Sequence, residues 1–285
     1  MLDDKMTIIL TGKCDLLQQP AELHQLTISV VASDVTRRLQ AHPRDSASPP
    51  SGCNVTAMSR SETPELVDLA DTYKGALNIF KGDVAKDGDN KEAVDVTLAA
   101  FQRVDALILN AGTLDPLGTT EGLTGKLDKY KTLFDVNFFS LVSIVQHALP
   151  HLRERSKHDV SGRIIMVSSG AATGGVAGWG PYSASKAAMN SFVRTLGNEE
   201  PSIVSVAVRP GVVDTAMQEA IRSTGGQHMT EKDHARFTGL HAEGKLVPPE
   251  QPGAVLAALS LKATKDLTGQ FVSWDSDEMQ AYSTL

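Results

Sequence analysis

The chain has 285 residues, a formal net charge of −7 and an isoelectric point near 5.6. That length suits one sizeable α/β domain or at most two small ones, and 41% hydrophobic residues can fill a real core. The acidic balance leaves no basic stripe for a nucleic-acid backbone, and two cysteines, Cys14 and Cys53, give neither a disulfide framework nor a metal-ligand spacing. The start, Met1-Leu2-Asp3-Asp4-Lys5, is acidic and unlike a secretory leader, and no stretch approaches the length of a membrane span. A reducing, cytoplasmic setting is the expectation. The scattered histidines, among them His24, His42 and His151, form no ligand pattern, so no metal is expected.

Short apolar runs alternate with longer helical stretches. Strands are predicted at 6–11, 54–59, 76–80, 104–110, 162–168, 203–209 and 270–274, and helices at 64–73, 90–101, 126–155, 181–198 and 251–261. This alternation predicts one α/β domain over residues 1–285, a doubly wound and mostly parallel Rossmann-like sheet covered on both faces. Val104 to Leu109 is apolar with little alternation and reads as a central strand. Residues 13–52 break the pattern. Pro43, Pro49 and Pro50 with Ser46, Ser48 and Ser51 make 43–52 a loop. Within 13–34, Leu26 to Val31 is either an extra strand or a buried plug.

The chemistry concentrates further on. Tyr182 and Lys186 stand four residues apart in Tyr182-Ser183-Ala184-Ser185-Lys186, so a helix places both on one face. A free phenol is a poor base at neutral pH, and a nearby ammonium favours its phenolate. Such a phenol can exchange a proton with a substrate oxygen. Ser169 follows the apolar strand Ile164 to Val167, and its hydroxyl could hold the same oxygen. Small residues around Tyr182 (Ser183, Ala184, Ser185, Ala187, Ala188) would let something flat approach.

These residues, with Asn110-Ala111-Gly112, Asp135-Val136-Asn137, Ser168-Ser169 and Pro210-Gly211-Val212-Val213-Asp214-Thr215, come in the order of the short-chain dehydrogenase/reductase family, which the chain resembles over about residues 54–275 and its first strand. Phe138 to Val142, Gly170-Ala171-Ala172, Trp179, Asn198 to Pro201 and Ser273-Trp274 resemble the sepiapterin-reductase-like and benzil-reductase-like branch, especially its fungal members. The resemblance implies NADPH-dependent reduction of a carbonyl (a ketone, diketone or pterin side chain) to an alcohol. It implies Tyr182 as general acid, Lys186 as its tuning cation and ribose ligand, Ser169 on the substrate oxygen, and Asn137 in a water relay to Lys186. A homodimer or homotetramer is implied as well.

For the cofactor, the resemblance points to Thr11 and Gly12 after the first strand and to Asp83 with Val84 after the third. It adds Asn110, Ala111 and Gly112 after the fourth, Tyr182 and Lys186 themselves, and Pro210, Gly211, Val213 and Thr215 after the sixth. Arg60, after the second strand, suits a 2′-phosphate and hence NADPH; a solvated surface arginine is the plainer reading. Asp83 reads equally as a turn aspartate, and Pro210-Gly211 as an ordinary turn. Asn137 is a poor helix former within a helical stretch, which suggests a kink or a bound water there; a satisfied buried asparagine is the alternative. Residues 216–246 read as a substrate-side flap or as a surface excursion, with Met217, Trp179 and Met229 as apolar pocket walls or simply packing.

One departure stands out. The family carries a glycine-rich turn after the first strand, and here no glycine occurs between Gly12 and Gly52. The backbone could not approach a pyrophosphate in the usual way. Three accounts compete: true divergence with weakened nucleotide binding, an insertion that folds away, or translation through an unspliced intron, since Gly12-Lys13-Cys14 can be encoded by a typical donor string. The competing functional class is a catalytically silent scaffold on the same fold, with the helices at 126–155 and 181–198 as a pairing surface.

Overall fold

The computed structural model describes residues 6–11, 53–154 and 160–283. Seven parallel strands form one sheet: β1 (Thr7–Thr11), β2 (Asn54–Ser59), β3 (Leu77–Lys81), β4 (Ala106–Leu109), β5 (Gly162–Val167), β6 (Ile203–Arg209) and β7 (Phe271–Ser273). Their order is β3-β2-β1-β4-β5-β6-β7. β1 is the switch point, pairing Ile8 with Val55 on one side and with Ala106 on the other. In such a sheet the crevice for a ligand opens at the strand C-termini beside that switch. The expected Rossmann-like fold is the one observed.

The helices are α1 (Pro64–Thr72), α2 (Asp87–Phe101), α3 (Leu127–Phe134), α4 (Ser140–Arg153), α5 (Gly180–Glu199), α6 (Ala216–Thr224), α7 (Glu231–Ala242), α8 (Glu250–Lys262) and α9 (Gln280–Ser283). Strand periodicity sorts the core into two layers. Ile8, Leu10, Ile108 and Ile165 join Leu66 of α1 and Val255 and Leu259 of α8 on one face. Ile9, Leu107, Ile164 and Met166 meet Val94 of α2, Ile144 of α4 and Val193 of α5 on the other.

The predicted helix 126–155 is two helices joined by a π-helical turn, Asp135–Phe139, with Asn137 inside it. The asparagine expected to mark a kink or a bound water sits instead in this π turn as a buried side chain whose polar atoms are met by Thr113 and Ser185. The helical run Leu127–Arg153 is, by length and composition, long enough to cross a membrane, which corrects the expectation that no stretch approaches that length. Its Leu141, Ile144, Val145, Ala148 and Leu152 are buried against the sheet, as in the core helix of a globular domain. The predicted excursion 216–246 contains α6 and α7. Thr230 starts α7 with a reciprocal cap: its Oγ1 accepts from Asp233 N (3.1 Å) and donates to the Asp233 carboxylate (2.7 Å).

Candidate active site

α5 begins with Pro181 in its first turn, where a missing N–H costs nothing. Tyr182 and Lys186 follow one turn apart, both buried, with Lys186 Nζ 5.8 Å from the centre of the phenol ring. Nζ donates to the Val167 carbonyl at the end of β5 (2.7 Å). Lys186 is only 3% exposed, and this burial lowers its pKa from 10.5 to about 8. Ser169 lies just past β5 in extended backbone; its Oγ accepts from Ala171 N (3.2 Å), which leaves its O–H as a donor.

A cavity of about 430 Å³ opens at the C-terminal ends of β4, β5 and β6. Of the residues singled out in the sequence, Ser169, Tyr182, Lys186, Asn110, Gly112, Pro210, Gly211, Val213 and Thr215 line it. Gly112 brings the β4 exit close to the helix: a methyl group there would sit 3.6 Å from both Lys186 Nζ and Asn137 Oδ1. Gly211 has φ +80°, and a Cβ would lie 2.9 Å from Trp274 Nε1, so the turn after β6 requires glycine.

The other expected residues lie elsewhere. Asn137 is fully buried behind the cavity wall. Its Oδ1 accepts from Thr113 N (2.7 Å), and its Nδ2 donates to Thr113 O (2.9 Å) and Ser185 Oγ (3.1 Å). Ser185 Oγ in turn donates to Tyr182 O (2.8 Å). Asn137 thus clamps the β4 exit to α5 one residue before Lys186. Ala111 and Val84 are core residues, packed with Met58, Ala93 and Val136. Asp83 Oδ1 accepts from Ala85 N (3.1 Å), the turn bond of the plainer reading. Thr11 ends β1, and its carbonyl accepts from Asn110 N (3.2 Å). Arg60 is half-buried just past β2. Gly12 and the atypical segment 13–52 fall outside the described residues.

Trp179 and Met217, read from the sequence as pocket walls or packing, do line the cavity, whereas Phe237 and Gln218 of the same wall were missed. Trp179 stacks on Phe237 (centroids 5.4 Å apart, 25° between planes) and meets Tyr182 edge-on (5.7 Å, 88°). Val176, Ile221 and Met217 extend this apolar wall, and Gln218 of α6 borders the cavity beside them. The Thr230-x-x-Asp233 cap was the available signal for α7, which carries Phe237.

A nicotinamide dinucleotide can be tested against these residues. The β4 exit is built of small residues, Gly112 leaves room beside Lys186, and the Pro210–Thr215 turn borders the same cavity, so the nicotinamide end of such a group fits. Among the described residues no cluster of three His, Cys, Asp or Glu is arranged to hold a metal ion.

Known proteins resemble this chain in sequence and in fold. The family model for short chain dehydrogenases matches residues 49–226. An uncharacterized oxidoreductase of Schizosaccharomyces pombe is 43% identical over 78% of this chain and 87% of its own. A benzil reductase of Saccharomyces cerevisiae that forms (S)-benzoin is 42% identical over 80% of this chain and 88% of its own. The crystal structure of a short chain dehydrogenase/reductase from Saccharomyces cerevisiae, 30% identical, superposes with a TM-score of 0.81 over 98% of this chain and 99% of that one.

Proposed function

This chain belongs to the short-chain dehydrogenase/reductase family, and we propose that within it the protein reduces a carbonyl to an alcohol at the expense of NADPH. The observation that carries the reading is the convergence of Ser169, Tyr182 and Lys186 on one cavity. NADPH, when bound, supplies the hydride. Ser169 donates its O–H to the substrate oxygen and holds the carbonyl in place. Tyr182 gives its phenolic proton to that oxygen as negative charge develops there. Lys186, with a pKa of about 8, is still roughly nine-tenths protonated at pH 7, and its desolvated charge stabilises the phenolate left behind. Asn137 holds Thr113 and Ser185 and so fixes Lys186 relative to the β4 exit; its place in a water relay belongs to the same proposal. Arg60 beyond β2 favours the 2′-phosphate of NADPH.

The benzil reductase relative and the Trp179–Phe237 wall together favour an aromatic diketone over a pterin side chain. Phe139 of the π turn, 55% exposed, and Leu127 offer an apolar surface for a homodimer or homotetramer. The test combines NADPH titration by nicotinamide fluorescence with turnover of benzil. Wild type should bind saturably and turn over; Tyr182→Phe should bind NADPH with similar affinity and lose at least about a thousandfold in kcat. A Tyr182→Phe enzyme of undiminished activity refutes the assigned chemistry. A folded wild-type protein that binds no NADPH refutes the reductase reading.

A further inference from the structure

Two side chains of the substrate wall carry a buried hydrogen-bond donor without an acceptor. Four buried side-chain polar atoms among the described residues lack a partner, and two of them, Gln218 Nε2 and Trp179 Nε1, belong to residues lining the cavity. Gln218 is 2% exposed, so bulk water does not satisfy it. Its amide orientation is fixed from the other side. Arg222 donates to Gln218 Oε1 (2.5 Å), and a guanidinium can only donate, so Oε1 must face Arg222 and the NH₂ must face away. Trp179 is fixed as firmly, its ring held between Phe237 and Tyr182. An indole N–H is likewise donor only.

A buried donor without an acceptor is costly, and natural proteins tolerate few. Both orphans here are donors, both are rigidly held, and both belong to side chains that line the cavity where a ligand enters. A substrate with a single carbonyl places its one oxygen on Ser169 and Tyr182 and leaves these donors unmet. We propose that Gln218, assisted by Trp179, is a specificity-determining residue that donates to a second acceptor oxygen of the substrate. The substrate class is then a carbonyl compound with a further oxygen acceptor and an apolar or aromatic body that rests on Trp179 and Phe237. The selectivity follows from a general asymmetry: a site built to hydrogen-bond a substrate group rejects the analogue lacking it far more strongly than an apolar pocket rejects a missing methylene. The inference rests on the carbonyl-reductase reading for turnover, but not for binding.

Benzil, with two adjacent carbonyls, and deoxybenzoin, with one, are the probes. Two variants guard against misfolding: Gln218→Met keeps the side chain's length, and Gln218→Glu keeps the oxygen that Arg222 grips while removing the donor. The readouts are the ratio of kcat/KM for benzil to that for deoxybenzoin, and the Kd of benzil for cofactor-free protein by equilibrium dialysis. In both variants the ratio should fall by roughly 10- to 100-fold, with a matching rise in Kd for benzil. Trp179→Phe, which keeps the stack and deletes the N–H, should move the ratio in the same direction by less. An unchanged ratio in an enzyme that still reduces both ketones overturns the inference and leaves the reductase reading standing. Benzil binding that weakens in both variants, without turnover of either ketone by wild type, sinks the reductase reading and leaves the inference standing. Failure of the folded wild-type protein to bind benzil overturns the inference outright.

Discussion

Lys186 carries a charge where the fold makes charge expensive, and the expense is measurable as a pH-dependent stability. Its pKa falls from 10.5 to about 8 because burial removes the ammonium's hydration. A depressed pKa on a base means that the folded protein binds the proton less tightly than the unfolded chain. Below pH 8 both states are protonated and the full penalty is present; above 10.5 neither is, and it is gone. Stability therefore rises with pH across the window from about 8 to 10.5, where the unfolded state holds more protons. At about 1.4 kcal/mol per tenfold change in proton affinity, the total is about 3 kcal/mol. Cys53 works against this slope: burial pushes its thiol from 9.0 up to about 12, so the unfolded chain loses that proton first and stability falls above pH 9. A single wild-type curve mixes the two, and the comparison with Lys186→Met removes the Cys53 contribution. Urea unfolding of both cofactor-free proteins, followed by circular dichroism between pH 7.5 and 10.5, should show wild type gaining about 3 kcal/mol on the variant. A difference that stays flat within about 1 kcal/mol, or runs the other way, refutes the claim that Lys186 is a desolvated cation.

Two further substitutions test the scaffold of the site. Asn137→Ala removes the side-chain bonds to Thr113 N, Thr113 O and Ser185 Oγ in the interior, and should cost about 2–4 kcal/mol in urea unfolding; a loss under about 1 kcal/mol would mean that the clamp is dispensable. Gly178 and Gly75 both have φ near +80°, but a Cβ on Gly178 would lie 2.7 Å from the His228 carbonyl oxygen, whereas one on Gly75 meets nothing within 4 Å. Gly75→Ala should therefore lose only the backbone preference, about 1 kcal/mol, while Gly178→Ala should lose clearly more and raise the KM for ketones by shifting the segment that carries Trp179. Equal losses in Tm for the two variants would remove the clash argument.

The sequence makes the sheet visible because its strands are buried on both faces and therefore apolar without interruption, as at Ala106–Leu109. Tyr182 and Lys186 are legible because one helical turn links them, and Asn137 because a poor helix former inside a helix needs a reason, here the π turn. The Trp179–Phe237 stack is not legible: the two residues are far apart in the chain, and only the packing of α7 over the start of α5 brings them together. Gln218 reads as an ordinary polar helix residue until its burial and missing partner are seen. Ala111 and Val84 sit within family motifs, yet their side chains face the core, because motif membership specifies a stretch of backbone and not a side-chain direction.

The glycine-free stretch and the proposed catalytic trio lie in separate parts of the chain. β1 keeps its register with β2 and β4 on either side of a connection of roughly forty residues, far longer than the dozen or so that a parallel crossover requires. The contacts that set the trio run through Thr113, Val167, Ala171 and Ser185, all downstream of β4. What the family places in the altered stretch is the pyrophosphate turn, which contributes affinity and not proton transfer. On the proposed function, divergence in that stretch should therefore raise the concentration of dinucleotide needed for half-saturation while leaving in place the pH dependence assigned to Tyr182 and Lys186. Damage to the clamp around Asn137 should do the reverse.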